Sequence, residues 1–293
     1  MKFGHGTATF KNTEGLYGSH YGDVIDGNGK DNWLFSMEGD DSVHGGGGDD
    51  VINGYKGNDK LFGDGGDDIF IMAPGKDTID GGAGLDALDF YFAKSGVKVS
   101  LEEGSVSFTQ VAGQGSAKFT SVECLVGSAH RDRLTGDGVA NILNGREGDD
   151  TLSGLDGQDF LAGREGDDIL VGGAGKDAFL FDIAPSAGKN FDTVTDFTAD
   201  LDRLAFDSAV FDVDGTGRTH HFGNVNYQRI AAGQFQVGDG HVAKSEDVRI
   251  IYDQHSGILY YDSNGSENGG LAQVADIGKH LDISAASVFA YHL

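Results

Sequence analysis

The sequence predicts an all-β protein: a solenoid of short parallel strands in two blocks, followed by a β-rich C-terminal domain that caps the stack. Glycine and aspartate recur at fixed positions of a nine-residue unit. One large apolar residue recurs at the eighth position of the same unit. Alternating apolar and polar residues outside the repeats extend the β prediction to the rest of the 293-residue chain.

The composition excludes several classes of protein. The chain has 49 glycines, only two prolines and 38% hydrophobic residues, which is neither a Pro/Gly linker nor a disordered sequence. It carries 47 acidic against 21 basic residues, a formal net charge of -26. This balance argues against nucleic acid and anionic membranes as main partners, and it favours cations. No apolar stretch reaches the length of a transmembrane helix, so we expect no stable membrane span.

The N-terminal sequence MKFGHGTATFKNTEG lacks the apolar core of a secretory signal. Two possibilities stay open: a cytoplasmic protein, or export by a route that does not read the N-terminus. The single cysteine, Cys124, cannot form an intramolecular disulfide. It lies in the alternating run TSVECLVG, which predicts a buried and unreactive thiol.

The repeats divide the chain into five parts. Residues 1–17 are expected to form a lead-in strand. Block one, 18–89, contains eight nonapeptides, and block two, 127–180, contains six. The insert between them, 90–126, is close to four nonapeptides in length and alternates with period two, so we expect it to continue the stack. Residues 181–293 are expected to form the C-terminal β cap.

Each unit has the form G-G-x-G-x-D-x-U-x, where U is large and apolar. Six residues make a turn, in which glycines supply positive φ angles, and three make a short strand. Because side chains alternate along a strand, U points to one face only. Two units then complete one coil, and Ile52, Leu61 and Phe70 meet inside it from alternate sides.

The sixth positions predict a metal site. Asp41, Asp59 and Asp77 stack on successive coils, and their mutual repulsion opposes folding. A divalent cation between turns reverses this effect. Ca²⁺ accepts six to eight oxygen ligands in flexible geometry, whereas Mg²⁺ demands a tight octahedron and transition metals prefer His or Cys. The sixth-position aspartates expected to bind Ca²⁺ are Asp23, Asp41, Asp50, Asp59, Asp68, Asp77, Asp86, Asp132, Asp150, Asp159, Asp168 and Asp177.

Sixth positions one coil apart form six pairs in block one and four in block two. Asn32 and Asn141 each weaken one pair, which leaves eight all-carboxylate pairs and an expectation of about 6–10 ions. The first units of each block are doubtful sites, because their fourth positions are not glycine but Tyr21, Lys30, His130 and Val139. Metal binding is expected to be coupled to folding, with a disordered apo state.

The units GGGGDDVIN, GREGDDTLS and GGAGKDAFL resemble the calcium-binding repeat of RTX (repeats-in-toxin) proteins. The resemblance implies a parallel β-roll in which carbonyls near the second and fourth positions join the sixth-position aspartates as Ca²⁺ ligands. The corresponding glycines are Gly46, Gly48, Gly57, Gly66, Gly75, Gly84, Gly148, Gly157, Gly166 and Gly175. It also implies that Asp192 and Asp196 can close the last site, although ordinary strand-edge acids are an equal alternative.

The resemblance further implies type I export from a Gram-negative bacterium, directed by an uncleaved C-terminal signal. The chain would meet the type I secretion machinery unfolded and fold outside the cell, where calcium is plentiful. The segment NFDTVTDFTADLDRLAFD also resembles the sequence that follows such repeats in secreted RTX proteins. We therefore expect a secreted, extracellular protein.

The sequence holds neither H-E-x-x-H nor G-x-S-x-G, so we expect no enzyme activity of the common protease or lipase types. The favoured hypothesis is a non-enzymatic protein of adhesion, matrix formation or host interaction, with an extracellular or host-surface ligand. The alternative is the calcium-dependent C-terminal region of an RTX enzyme, such as a protease, lipase or alginate epimerase. A pore-former ranks last. Trp33 can face solvent, but one aromatic residue is no binding platform, and His220 and His221 are expected in a surface loop.

Overall fold

The computed structural model describes residues 7–9, 14–110, 113–185, 190–213, 215–222, 225–238, 242–265 and 270–292. The chain divides into two compact units, Met1–Gly136 and Asp137–Leu293. Strands dominate both units, and the described helices are one short α-helix, α1 Ser208–Phe211, and two 3-10 turns, Ala232–Gln234 and Ala285–Ser287. The predicted all-β class is confirmed. No helix in this described part of the chain is long and apolar enough to cross a membrane.

The strands of the first unit are short and closely spaced in sequence. In chain order they are β1 Thr7–Thr9, β2 Gly15–Tyr17, β3 Val24–Gly29, β4 Trp33–Phe35, β5 Ser42–Gly47, β6 Val51–Asn53, β7 Lys60–Gly65, β8 Ile69–Ile71, β9 Gly75–Ala83, β10 Ala87–Asp89, β11 Lys98–Ser100, β12 Ser105–Gln110, β13 Gly113–Thr120, β14 Cys124–Val126 and β15 Arg133–Thr135.

Two sheets face each other in this unit. Sheet 1 has the order β1-β3-β5-β7-β9-β13-β12-β11-β15, and sheet 2 has the order β2-β4-β6-β8-β10-β14. Within block one all pairs are parallel, and each residue pairs with the residue one coil later, as Val43 does with Leu61 in sheet 1 and Ile52 with Phe70 in sheet 2. These four side chains are buried, so the eighth positions form the core, and the parallel β-roll is confirmed.

The insert pairs in register with the repeats on both sheets. Phe119 of β13 pairs with Ile79, and Leu125 of β14 pairs with Leu88. Strands β12 and β13 form an antiparallel hairpin, which adds an excursion that the nonapeptide pattern does not contain. Cys124 is buried, as its alternating sequence predicts.

The second unit contains block two and the C-terminal residues. Its strands are β16 Ile142–Glu147, β17 Thr151–Gly157, β18 Phe160–Glu165, β19 Ile169–Gly175, β20 Ala178–Phe181, β21 Asp192–Val194, β22 Arg203–Asp207, β23 Gly215–Phe222, β24 Val225–Ile230, β25 Phe235–Gly238, β26 Ile250–Asp253, β27 Ile258–Asp262, β28 Leu271–Asp276 and β29 Val288–His292.

The C-terminal strands extend both sheets of the second unit. Sheet 3 has the order β17-β19-β21-β28-β27-β26-β25, and sheet 4 has the order β16-β18-β20-β22-β29-β24-β23. Strands β26 and β27 form an antiparallel hairpin around the turn after Asp253. His220 and His221 lie in β23 and not in a loop, because that segment pairs antiparallel with β24.

Candidate metal centre

The sixth-position side chains form two buried ladders in block one. The main-chain N–H of each sixth residue donates to Oδ1 of the sixth residue one coil later. In one ladder the pairs are Asp23–Asp41 at 2.7 Å, Asp41–Asp59 at 2.9 Å and Asp59–Asp77 at 3.0 Å. In the other they are Asn32–Asp50 at 2.7 Å, Asp50–Asp68 at 2.8 Å and Asp68–Asp86 at 2.9 Å.

Block two repeats this arrangement. The corresponding bonds are Asn141–Asp159 at 2.8 Å, Asp150–Asp168 at 2.7 Å and Asp159–Asp177 at 3.0 Å. The predicted stacking of sixth positions at intervals of 18 residues is therefore present in both blocks. Each hydrogen bond fixes one carboxylate oxygen and orients the other toward the turn.

The second carboxylate oxygen is buried and lacks a hydrogen donor. Within the described residues, Oδ2 has no hydrogen-bond partner in Asp41, Asp50, Asp59, Asp68, Asp86, Asp159, Asp168 and Asp177. An unpartnered buried carboxylate oxygen is costly, because burial removes its water without supplying a substitute. A hard cation is the partner that such an oxygen fits.

A main-chain carbonyl lies close to several of these oxygens. A Cβ added to Gly63, the first residue of its unit, would collide with Oδ2 of Asp68 and with the carbonyl oxygen of Gly81. A Cβ added to Gly45 or to Gly154 would likewise collide with Oδ2 of the sixth-position aspartate of the same unit and with a main-chain carbonyl oxygen. Carboxylate and carbonyl oxygens thus converge where glycine leaves room, and this is the ligand chemistry of Ca²⁺.

No compact group of three or more His, Cys, Asp or Glu side chains suited to a metal occurs among the residues the structure describes. A cation in these turns would therefore draw part of its ligand set from main-chain carbonyls. The fourth-position glycines supply close carbonyl contacts: a Cβ on Gly66, at φ 127°, would collide with the carbonyl oxygen of Gly48 on the previous coil. The second position of the unit does not require glycine, since Arg146 and Leu155 occupy it at φ 73° and 79°.

Burial raises the pKa of the ladder carboxyls. The pKa rises to about 7 in Asp50, Asp59, Asp77, Asp86 and Asp159, and to about 6 in Asp68 and Asp168. Desolvation is the largest cause, and neighbouring carboxylates add to it in Asp59, where Asp77 and Asp41 face the same ladder. Donation from the preceding main-chain N–H opposes the rise. The ladders therefore disfavour charge until a cation neutralises them.

The doubtful first units differ from the others in one respect. Oδ2 of Asp23 accepts from the main-chain N–H of Ser19 at 2.6 Å and from its hydroxyl at 2.8 Å. Oδ2 of Asp132 accepts from the main-chain N–H of Ser128. Asn32 and Asn141 receive the equivalent main-chain bond on Oδ1. In these four turns the polypeptide itself supplies a donor where the regular turns present an unpartnered oxygen.

Three acidic residues outside the repeat pattern close the ladders. Glu123 accepts from the N–H of Asp86 at 3.1 Å, Asp192 accepts from that of Asp168 at 3.1 Å, and Asp202 accepts from that of Asp177 at 3.1 Å. Asp196 instead accepts from the N–H groups of Gly172 and Gly173. The nonapeptide pattern predicts neither Glu123 nor Asp202 at these positions. Asp202 could have been recognised from the sequence, because Asp202, Arg203 and Leu204 repeat the D-x-U pattern of the nonapeptide.

A family model of the RTX calcium-binding nonapeptide repeat, in four copies, matches residues 17–52, 36–70, 74–90, 126–161 and 144–179. These are RTX calcium-binding nonapeptide repeats. RTX repeats bind calcium, and the buried ladders of this chain fit several Ca²⁺ ions. RTX repeats are also typical of proteins exported by type I secretion.

The comparisons with whole proteins are more distant. No curated protein sequence matches the chain. Among solved structures, the extracellular lipase LipA from Serratia marcescens aligns with 95% of this chain at 20% sequence identity and a TM-score of 0.25. The aligned part is 40% of the lipase chain, so this chain spans less than half the length of that enzyme.

Proposed function

We propose that this RTX protein is exported unfolded, folds on Ca²⁺ outside the cell, and acts there as a non-enzymatic protein of adhesion, matrix formation or host interaction. The buried and unpartnered Oδ2 atoms of the ladders carry the proposal. They make the coils unstable where calcium is scarce and stable where it is plentiful, because a ligand that binds only the folded state stabilises that state.

The outer face of sheet 2 supports an interaction role. Tyr17, Trp33, Phe35 and Tyr55 lie together there, with ring centroids 5.2 Å apart for Tyr17 and Phe35, and 6.2 Å apart for Phe35 and Tyr55. Tyr17 is 67% exposed and Trp33 is 58% exposed. Trp33 therefore belongs to an exposed aromatic cluster and is not the isolated aromatic residue that the sequence predicts. Exposed aromatic clusters are typical of recognition surfaces.

The export step is tested with the full chain and a variant that lacks residues 234–293, each produced beside a type I exporter. The full chain is expected in the medium and the truncated chain inside the cell. A reporter fused to residues 234–293 is expected in the medium, which separates a C-terminal address from a folding effect. Export of the truncated chain would contradict this part of the proposal.

The extracellular role is tested with the purified, calcium-loaded protein. We expect calcium-dependent retention on bacterial or host surfaces, and release when calcium is chelated. Assays with peptide, ester and polyuronate substrates are expected to show no turnover. Turnover of any of these bonds would favour the alternative, a calcium-dependent portion of an RTX enzyme, and absence of surface retention would contradict the interaction role.

A further inference from the structure

We propose that a groove on the outer face of sheet 1 binds a linear acidic polysaccharide. The groove has a volume of about 690 Å³ and is lined by Lys76, Lys98, Lys118, Ser105, Ser107 and Ser116. A volume of this size is typical of ligand sites. The inference names the ligand class for the extracellular interaction role proposed above, and it rests on that role.

The strand register sets the order of these side chains across the sheet. Ser116 of β13 pairs with Lys76 of β9 on one side and with Ser107 of β12 on the other. Strands β11 and β12 pair antiparallel at Ser100 and Ser105, and Lys98 of β11 and Ser107 of β12 both line the groove. A row of side chains thus crosses four neighbouring strands, from Lys76 on β9 to Lys98 on β11, over roughly 14 Å.

Lys118 lies next to this row. It pairs with Ser105 of β12 and with Thr78 of β9, two residues along from Ser116. The row continues beyond Lys98 to Arg133 of β15, its partner in the parallel pair. The groove therefore combines positive charge at both ends and along one side with hydroxyl groups between them.

The three ammonium groups of the groove are available to a ligand. In the part of the chain that the structure describes, Lys76, Lys98 and Lys118 form no ion pair with a carboxylate. All three side chains are exposed. Three lysines thus converge on one groove in a chain with 21 basic and 47 acidic residues. The charge of the groove is complementary to an anion.

The spacing selects the kind of anion. A small anion cannot reach both Lys76 and Lys98, whereas acidic groups placed at intervals along one chain can. Duplex nucleic acid and anionic membranes present dense charge over a wide area, which would meet the carboxylates around the groove. A single chain of acidic sugars also brings hydroxyls that can bond with Ser107 and Ser116. A linear acidic polysaccharide meets all of these conditions.

The test measures binding of oligogalacturonates to the calcium-loaded full chain, beside uncharged glucan oligomers, single-stranded DNA and vesicles that contain phosphatidylserine. We expect binding to oligogalacturonates alone, with affinity that falls as salt rises. The triple variant Lys76→Gln, Lys98→Gln, Lys118→Gln is expected to lose affinity by roughly tenfold or more. Of the two acidic residues that line the groove, Asp77 is buried in its ladder and Glu103 is exposed, so Glu103→Gln is expected to raise affinity.

Lys94→Gln is the matched control, because Lys94 is an exposed lysine outside the groove, and its affinity is expected to equal that of the wild type. Circular dichroism of every variant with calcium verifies the fold. Equal affinity of the triple variant and the wild type, or preference for DNA or vesicles, would overturn the assignment. If the triple variant is still retained on surfaces, the interaction role is kept and only the assignment of the groove as the binding site is rejected.

Discussion

The main-chain N–H of Asp41 donates to Oδ1 of Asp59 at 2.9 Å, while Oδ2 of Asp59 is buried with no hydrogen donor among the described residues. The first oxygen joins two coils of the stack. The second oxygen, Oδ2, can bind a cation. When no cation is bound, its burial destabilises the folded coil. One side chain therefore links the folding of this protein to its calcium binding.

Asp59→Asn is expected to lower calcium affinity by roughly tenfold or more, because it removes one ligand charge from the middle of a ladder. The amide oxygen can still accept the N–H of Asp41, so the ladder itself persists. Without calcium the same variant is expected to resist unfolding better than the wild type, since one buried charge is gone. Calcium titrations followed by circular dichroism measure the first effect, and urea unfolding in chelator measures the second.

Asp23→Asn is the control for that pair of effects. Oδ2 of Asp23 already accepts two hydrogen bonds from Ser19, so we expect this turn to contribute little to calcium binding. The calcium midpoint of Asp23→Asn is expected to stay near that of the wild type. Equal losses of affinity in the two variants would show that position in the stack does not determine the site.

Calcium-induced folding is expected to weaken in acid. Burial raises the pKa of Asp59 and Asp86 to about 7, far above the value of about 3.9 in an unfolded chain. A raised pKa stabilises the metal-free fold below the unfolded value, and this stabilisation is lost as pH rises through about 7. The metal-free fold is thus expected to be more stable near pH 5 than near pH 8, while protons compete with calcium for the same oxygens.

Circular dichroism with and without calcium across this pH range measures both trends. The calcium midpoint should rise as pH falls below about 7. The β-signal of the calcium-free protein should increase over the same interval. A calcium midpoint that does not change with pH would show that the ladder carboxylates are not the groups that bind the metal.

The repeats could be predicted in detail because one physical rule sets them. Each coil must bury an eighth-position side chain such as Leu61 and place a sixth-position acid such as Asp59 above the previous one. The ends of the ladders obey no such rule. Glu123 reaches the N–H of Asp86 from the insert, and Asp202 lies 25 residues after Asp177 rather than 18. Their positions depend on how irregular segments pack, which a periodic pattern does not record.

The lysine groove likewise could not be predicted from the periodic pattern. Lys76 lies in a regular repeat, but Lys98 and Lys118 belong to the insert, and only the β12–β13 hairpin brings the three together. Antiparallel pairing reverses the order of residues across the sheet, so their sequence spacing gives no hint of proximity. The aromatic cluster is easier to predict from the sequence, since Tyr17 and Phe35 are 18 residues apart and pair directly in sheet 2.

Gly63→Ala is expected to destabilise the calcium-loaded protein by about 1–3 kcal/mol, because its Cβ would enter the space between Oδ2 of Asp68 and the carbonyl of Gly81. It is also expected to raise the calcium midpoint. Gly65→Ala in the same turn is the control, since its Cβ would meet only the carbonyl of Ala83, at 4.0 Å. That variant should stay within about 0.5 kcal/mol of the wild type in thermal unfolding. Equal destabilisation by the two substitutions would contradict a calcium site formed by Oδ2 of Asp68 and the carbonyl of Gly81.

Arg164→Met is expected to destabilise the second unit by about 2 kcal/mol, because it leaves the carboxylate of Asp182 buried without its cation. The side chain of Asp182 is 3% exposed, whereas that of Arg164 is 31% exposed, so the loss should be smaller than for a fully buried pair. Burial raises the pKa of Asp182, and the charge of Arg164 opposes that rise. The destabilisation should therefore grow as pH rises and Asp182 ionises.

Thermal unfolding with calcium measures this effect, and two further variants interpret it. Lys56→Met breaks an ion pair with Glu38 whose side chains are both more than half exposed, so we expect no change in melting temperature. Arg164→Met combined with Asp182→Leu should recover most of the loss, because an apolar pair no longer buries a charge. If the double variant were less stable than Arg164→Met alone, packing around Arg164 rather than the unpaired carboxylate would account for the cost.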